Sequence, residues 1–419
     1  MKITNGILLL LLFSVAGFAQ NFEIKSLQVY SKNNQISLPV IRENGPLTIE
    51  FDILTEEIPN LAIKFLFCDR EWVPYENTFI NNSFRNIDYG LWFDQLPTTV
   101  KRADYHFKDT YPKPNEVEFN FSGKWIFQIV DAQNEDDVFA EGYFYVVIPE
   151  VDVNVNIAKK NIRQAGYTNS AMDKVYEFTV DFSLHDNLFP ENVLDVEVVQ
   201  NHKMFYPYVL KRENTMFRYF EWNGSDNFLF GAQDIIPGNS YRQADLRDRN
   251  RFRPPETNAQ IDRIETSNFY VHPRQDFYGG EKLLNFNDED AQYMDVKFWL
   301  REDNYGKDVF LVGAFNDWFP SPEYQMQNDD GLYTISIELK RGIYDYQYIS
   351  GYNDGGEITE LDWYYFEGND WERDNLFNVF VYYAAPEEGG YDKIIGFAKL
   401  TTKEYGKRKH RNNWNGSSR

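Results

Sequence analysis

The run Val309-Phe310-Leu311-Val312-Gly313-Ala314-Phe315-Asn316-Asp317-Trp318 is the most telling stretch of this chain. Four consecutive apolar residues, two of them valine, suit a buried strand. Gly313 ends it, and a tight turn carries Phe315 and Trp318 around Asn316 and Asp317. Such a turn has two uses. Its rings can close the open end of a β-sandwich, or they can stack on sugar rings while Asn316 bonds hydroxyls.

The surrounding chain repeats the strand signal. Leu47-Thr48-Ile49-Glu50-Phe51-Asp52-Ile53 alternates apolar and polar, and residues 62–67 form a mostly apolar run. Glu118-Phe119-Asn120-Phe121 leads through a Ser122-Gly123 turn into the apolar residues 125–130. A second unit opens at Val151-Asp152-Val153-Asn154-Val155-Asn156-Ile157, where strict alternation implies one wet face and one dry face. Asn328-Asp329-Asp330-Gly331 is a hairpin turn between two further alternating runs. Helical periodicity is weak, with short helical turns expected only near residues 84–96.

Composition agrees. Of 419 residues, 35 are Phe, 29 Tyr and 9 Trp, a content that favours pleated, half-buried surfaces. We expect an all-β protein of about three tandem immunoglobulin-like sandwiches. Residues 1–19 read as a signal peptide, with Lys2, an apolar core at 7–13 and a cut between Ala19 and Gln20. Residues 20–150 form the first sandwich. Residues 151–290 form a middle sandwich with a long arginine-rich loop. Residues 291–385 form the third, 386–403 a short extension, and 404–419 a disordered basic tail.

Charge and chemistry narrow the function. The formal net charge of −23 opposes binding to nucleic acid or to anionic membranes. The single cysteine, Cys68, permits no intramolecular disulfide and no cysteine zinc site, and it sits in an apolar run as a structural thiol would. The five histidines lack metal-ligand spacing, and no nucleophile elbow or phosphate loop occurs. The expectation is no enzyme, no cofactor and no metal. Two sets of residues are candidate contacts. Phe315, Asn316 and Trp318 could face a partner or a glycan. Arg247, Arg249 and Arg251, within the basic run 242–253, could face an acidic surface or phosphate oxygens.

Two resemblances extend this reading. Gly313-x-Phe315-Asn316-x-Trp318, Met326, Gly331-Leu332-Tyr333 and Gly342-x-Tyr344-x-Tyr346 resemble the early-set module found beside amylase-class enzymes. Across the whole mature length, the order of motifs resembles the type IX secretion system plug proteins of the Bacteroidetes. The matching residues are Cys68-Asp69-x-x-Trp72, Tyr105-His106-Phe107, Pro114-Asn115, Ser122-Gly123-Lys124-Trp125 and Asn378-x-Phe380-Val381-Tyr382-Tyr383. Phe67 stands where that family usually has histidine. The resemblance implies a non-catalytic periplasmic protein, peripheral to the outer membrane. It would bind a large outer-membrane β-barrel translocon and close its periplasmic mouth. The polar, basic end after Glu404 differs from the compact β-domain that sorts cargo of this system. The alternative is an exported glycan-binding accessory protein using the third sandwich.

Overall fold

The computed structural model describes residues 22–32, 34–81, 85–162, 170–267, 276–303 and 306–403. The expected signal peptide, its cut at Ala19 and Gln20, the basic tail at 404–419, His272 and His410 lie outside the described residues. Twenty-seven strands and five short 3-10 turns make up the described elements, with no α-helical element among them. The chain is all-β, arranged as three two-sheet sandwiches.

In the first sandwich, Phe22–Ser31, Leu47–Thr55, Tyr105–Tyr111 and Phe93–Gln95 form one sheet in that order. Val40–Arg42, Val138–Val147, Gly123–Asp131, Leu61–Cys68 and Ile87–Asp88 form the other. Alternate side chains of each sheet meet between them: Ile49, Phe51, Ile63, Phe65, Phe127 and Phe144 are all buried in one core. Phe65 meets Phe119 and Phe144 edge-on, with centroids 5.3 and 6.2 Å apart. Each such pair contributes about 0.5–1.5 kcal/mol beyond its buried area. The helical turns expected at 84–96 are absent among the described residues. Ile87–Asp88 instead pairs with Lys64 and Ile63, and Phe93–Gln95 pairs with Tyr105, His106 and Phe107. Unpaired strand edges captured a segment whose local pattern was weak.

The other two sandwiches are not in tandem. Leu376–Tyr383, expected in the third unit, pairs antiparallel with Val193–Gln200 of the second, Val198 opposite Val379. Lys393–Thr401, expected to be an extension, pairs in turn with Leu376–Tyr383. Conversely, Arg242–Asp245 and Glu281–Leu283, expected in the middle unit, flank the 13-residue strand Gly342–Asp354 of the third. The third sandwich therefore spans residues 242–366 and is inserted into the second, which resumes at 376. The boundaries at 290 and 385 shift because alternation reports which face of a strand is buried, not which strand lies beside it. The turn Asn328-Asp329-Asp330-Gly331 forms as expected, with Asp330 and Gly331 both at positive φ, as a two-residue hairpin needs.

Buried polar groups join the three bodies. Asp52, on the first sandwich, is completely buried. It accepts hydrogen bonds from the Tyr293 hydroxyl at 2.7 Å and Lys340 Nζ at 2.6 Å, both on the third sandwich, and lies 2.6 Å from His106 Nδ1. Burial pushes its carboxyl up, but the His106 and Lys340 contacts outweigh this and hold it below the usual carboxylate range. Between the first and second sandwiches, buried Lys124 reaches Glu197 at 3.1 Å, Arg70 pairs with Asp195, and the Tyr145 ring stacks on Phe380 at 4.4 Å. Between the second and third, Arg373 lies 3.9 Å over the Tyr241 ring and Lys203 lies 4.2 Å over Trp363.

Lys340→Met leaves the Asp52 carboxylate buried without its cation. Breaking a buried pair this way costs about 3–5 kcal/mol. A urea titration should show a lower midpoint for the variant than for wild type. The difference should shrink below about pH 4, because stabilisation by a depressed carboxyl is lost as pH falls through its folded value. An unchanged midpoint at neutral pH would mean that this joint carries no load.

Candidate functional site

The turn singled out in the sequence is structural. The strand Asp308–Gly313 is hydrogen-bonded to Gly342–Asp354, and the turn at its end bends back through Asp317 and Trp318, both at positive φ. Asn316 holds it: its Oδ1 accepts the Gly313 N–H at 2.9 Å and its Nδ2 donates to the Leu311 carbonyl at 3.2 Å. Trp318 is 1% exposed. Its Nε1–H donates to the Gly279 carbonyl at 2.7 Å and its ring tilts against Tyr241 at 4.3 Å. Phe315 packs against the core and Tyr324. No ring face of Trp318 is free to stack on a sugar, because burial needs that face for packing.

The arginines are answered from within. Arg242 is not in a solvated loop but on the strand Arg242–Asp245. Buried, its Nε is 3.0 Å from each Glu367 oxygen and its Nη1 is 3.1 Å from Glu265. Arg247 clasps Asp245 through two bonds of 2.8 Å. Arg249 reaches Asp290 at 2.9 Å and Arg251 lies 3.5 Å from Asp248. These last three pairs are exposed, so each is worth little to stability. They still neutralise the charge that the sequence offered to a partner.

Most of the motifs that carried the second resemblance sit at the domain joints, whereas Pro114-Asn115 lies in the turn between Lys113 and Val117 of the first sandwich. Asp69 Oδ1 accepts the N–H groups of Glu71 and Val73, each at 2.9 Å, which shapes a turn that places Trp72 at positive φ. Trp72 then packs on Tyr145 and Phe205, and Arg70 reaches Asp195 and Asp392 of the second sandwich. Ser122 Oγ donates to the Ile394 carbonyl at 2.6 Å. Phe380 and Tyr382 present the other side of this joint. His106, one of the motif residues, belongs to the joint between the first and third sandwiches. Cys68 is completely buried and burial pushes its thiol well up, as a structural cysteine requires.

One cavity of about 240 Å³ touches all three sandwiches. Ser26, Gln28, Ser37 and Glu141 come from the first, His202 and Met204 from the second, and Glu281, Asp317 and Trp318 from the third. A bulge makes it. Between Lys25 and Gln28 the register of the first strand shifts, with Ser26 at φ 48°. The extra residue turns Lys25 and Gln28 to the same face, toward the third sandwich. Lys25 pairs there with Glu338, and Gln28 Nε2 donates to Glu281 at 2.6 Å. Gly280 lets the backbones pass: a Cβ there would lie 2.9 Å from the Ile36 Cα and carbonyl oxygen. Burial pushes the Glu281 carboxyl up to about 8 and lowers His202 to about 4. Nothing local in the sequence marks Glu281, since its setting comes from chain segments more than two hundred residues apart.

The exposed aromatics lie elsewhere. Phe79 is 92% and Trp92 80% exposed. Both belong to the segment that follows the edge of Leu61–Cys68 and crosses to the other sheet of the first sandwich. Asn81 fastens it, accepting from the Phe67 N–H at 2.7 Å and donating to the Phe67 and Tyr75 carbonyls, each at 2.8 Å. Among the described residues, no group of three His, Cys, Asp or Glu side chains could hold a metal ion. No helix among them is long and apolar enough to cross a membrane.

Comparison with known proteins finds one family model that matches part of the chain. Residues 24–148, the first sandwich, match the family model described as the type 9 secretion system plug protein 1st domain. A crystal structure of a hypothetical protein from Parabacteroides merdae ATCC 43184 superposes with a TM-score of 0.72. It is 20% identical and the match covers 91% of this chain and 97% of that one, a likeness of fold. A chain from the structure of Dpr2 Ig1-Ig2 in complex with DIP-Theta Ig1-Ig3 is 8% identical over 50% of this chain and 88% of its own, but its TM-score of 0.16 carries no argument. No curated protein matches.

Trp318→Ala should destabilise the third sandwich by about 3–5 kcal/mol, as deletion of a buried large aromatic does. Thermal melting followed by near-ultraviolet circular dichroism measures it, and a loss below 1 kcal/mol would return Trp318 to the list of surface candidates. Glu281→Gln tests the cavity. The folded protein holds a proton on Glu281 that the unfolded chain releases above 4.5, so this group lowers stability as pH rises from 4.5 to about 8. The variant should melt with wild type at pH 5 and about 2–4 °C above it at pH 8. A constant difference across that range would refute the assignment.

Proposed function

We propose that this protein is a non-catalytic periplasmic component of the type IX secretion system that binds the outer-membrane translocon barrel and closes its periplasmic opening. The observation that carries the reading is the match of the first sandwich to the plug family's first domain. The architecture suits the task. A stopper has to hold one shape while seated, and three sandwiches joined by buried ion pairs lose little conformational freedom on docking. The insertion of the third sandwich into the second adds a double covalent tether between them. The large negative charge keeps the released protein solvated.

Phe79 and Trp92 are the contact that this reading assigns to the translocon. Solvent-facing aromatics held on a fastened segment are what a reversible interface uses as its anchors. Capture of the tagged full chain from detergent-solubilised envelopes should recover one very large outer-membrane β-barrel. Phe79→Ser combined with Trp92→Ser should cut the recovery about tenfold or more while leaving the melting temperature unchanged. Absence of any large barrel from the wild-type capture, whether secretion is active or blocked, would sink the proposal.

A further inference from the structure

The cavity where the three sandwiches meet holds more acceptor capacity than its own walls use. Gln28 is 6% exposed, and its amide nitrogen is spent on Glu281. Its Oε1 has no hydrogen-bond partner among the described residues. A buried carbonyl left this way costs about 1–3 kcal/mol, so it points to a donor supplied from outside. Asp317 borders the same space from an exposed position on its turn, and no hydrogen bond or ion pair engages its carboxylate among the described residues. Among the described residues the Gln28 amide is the only side-chain hydrogen-bond partner of Glu281, and the nearby Asp317 carboxylate adds to the push that keeps the Glu281 proton on.

The remaining wall residues do not compensate. Glu338 is occupied by Lys25 and Arg102, and Glu141 by Gln128 and the Tyr143 hydroxyl. His202 Nδ1 donates to the Tyr278 carbonyl at 3.0 Å, and burial holds the ring neutral. No cation faces Glu281 and Asp317 from any of the three bodies among the cavity-lining residues. Leu27, Val29, Met204, Leu339 and Phe315 supply apolar wall around this polar spot. That mixture matches a charged head on an aliphatic stem. A metal ion is the poorer fit, because no trio of described ligands converges.

We propose that this three-domain cavity receives one ammonium or guanidinium group, with Glu281, Asp317 and the Gln28 amide oxygen as its acceptors. The group comes from a lysine or arginine side chain of a partner chain or from a free small amine. Seating it would tie the first and third sandwiches through one charge, whether or not the protein closes a translocon.

The test uses the full chain with labelled methionine methyl groups, read by NMR. Met204 lines the cavity and its resonance is assigned by Met204→Leu. N-acetyl-lysine methylamide or N-acetyl-arginine methylamide should shift that resonance and saturate, and the uncharged N-acetyl-norleucine methylamide should not. Asp317→Asn should weaken the binding about tenfold, the scale of one lost charge-assisted contact. Glu281→Gln should do the same, and it keeps the Gln28 contact available if Asp317→Asn disturbs the turn. Equal affinity for n-butylammonium would identify a free amine as the source, and tighter binding of the amides a partner side chain. The proposal is overturned if no cation shifts Met204 at concentrations far above millimolar. It is equally overturned if the norleucine amide shifts it as well, or if neither substitution weakens binding.

Discussion

Asp52 is a carboxylate without water whose compensation comes from another domain. Its own sandwich provides only His106, while the cation and the hydroxyl, Lys340 and Tyr293, belong to the third. Neither sandwich can leave the other without exposing half of an ion pair and stranding the rest. A buried pair of this kind adds little net stability compared with apolar packing, but losing one partner is severe. It therefore selects a single arrangement of the bodies. Lys124 with Glu197 does the same between the first and second sandwiches, and Ser122 with the Ile394 carbonyl fixes the position of that joint.

Apolar contacts complete what the charges orient. Leu96, Val100 and Ala103 of the first sandwich meet Tyr293 of the third, and the His106 ring stacks on Phe286 at 4.1 Å. Tyr145 and Val147 meet Phe380, Tyr382 and Ile394 across the second joint. Because the third sandwich leaves and re-enters the second, two chain crossings sit side by side. Asn375 Nδ2 bonds the Pro237 carbonyl at 3.0 Å across them. The outcome is one packed body with an imperfectly filled centre, and that centre is the acidic cavity.

Two alternating strands show how far the sequence could be read. Val153–Asn161 and Leu47–Thr55 carry the same period of two. In the first, the polar positions face solvent, as alternation implies. In the second, Thr48, Glu50 and Asp52 are all buried, because another sandwich covers their face. The motifs near Cys68, Ser122 and residues 378–383 were visible as patterns, but their role as joints was not. The turn at Phe315 and Trp318 was legible as a turn. Whether its rings pointed in or out depended on Gly279 and Tyr241, which lie far away in the chain.

The sequence by itself determined that this is an all-β chain, where most strands run, and that its aromatics build sandwich cores. Those properties follow from side-chain alternation and turn residues, which act over a few positions. Only the tertiary structure decided which strands pair, that the third sandwich is inserted in the second, and that Glu281, Gln28 and Asp317 share a cavity. Strand pairing and inter-domain contact are long-range. The free energy of a buried carboxylate depends on what the rest of the chain brings beside it, and no local pattern encodes that neighbour.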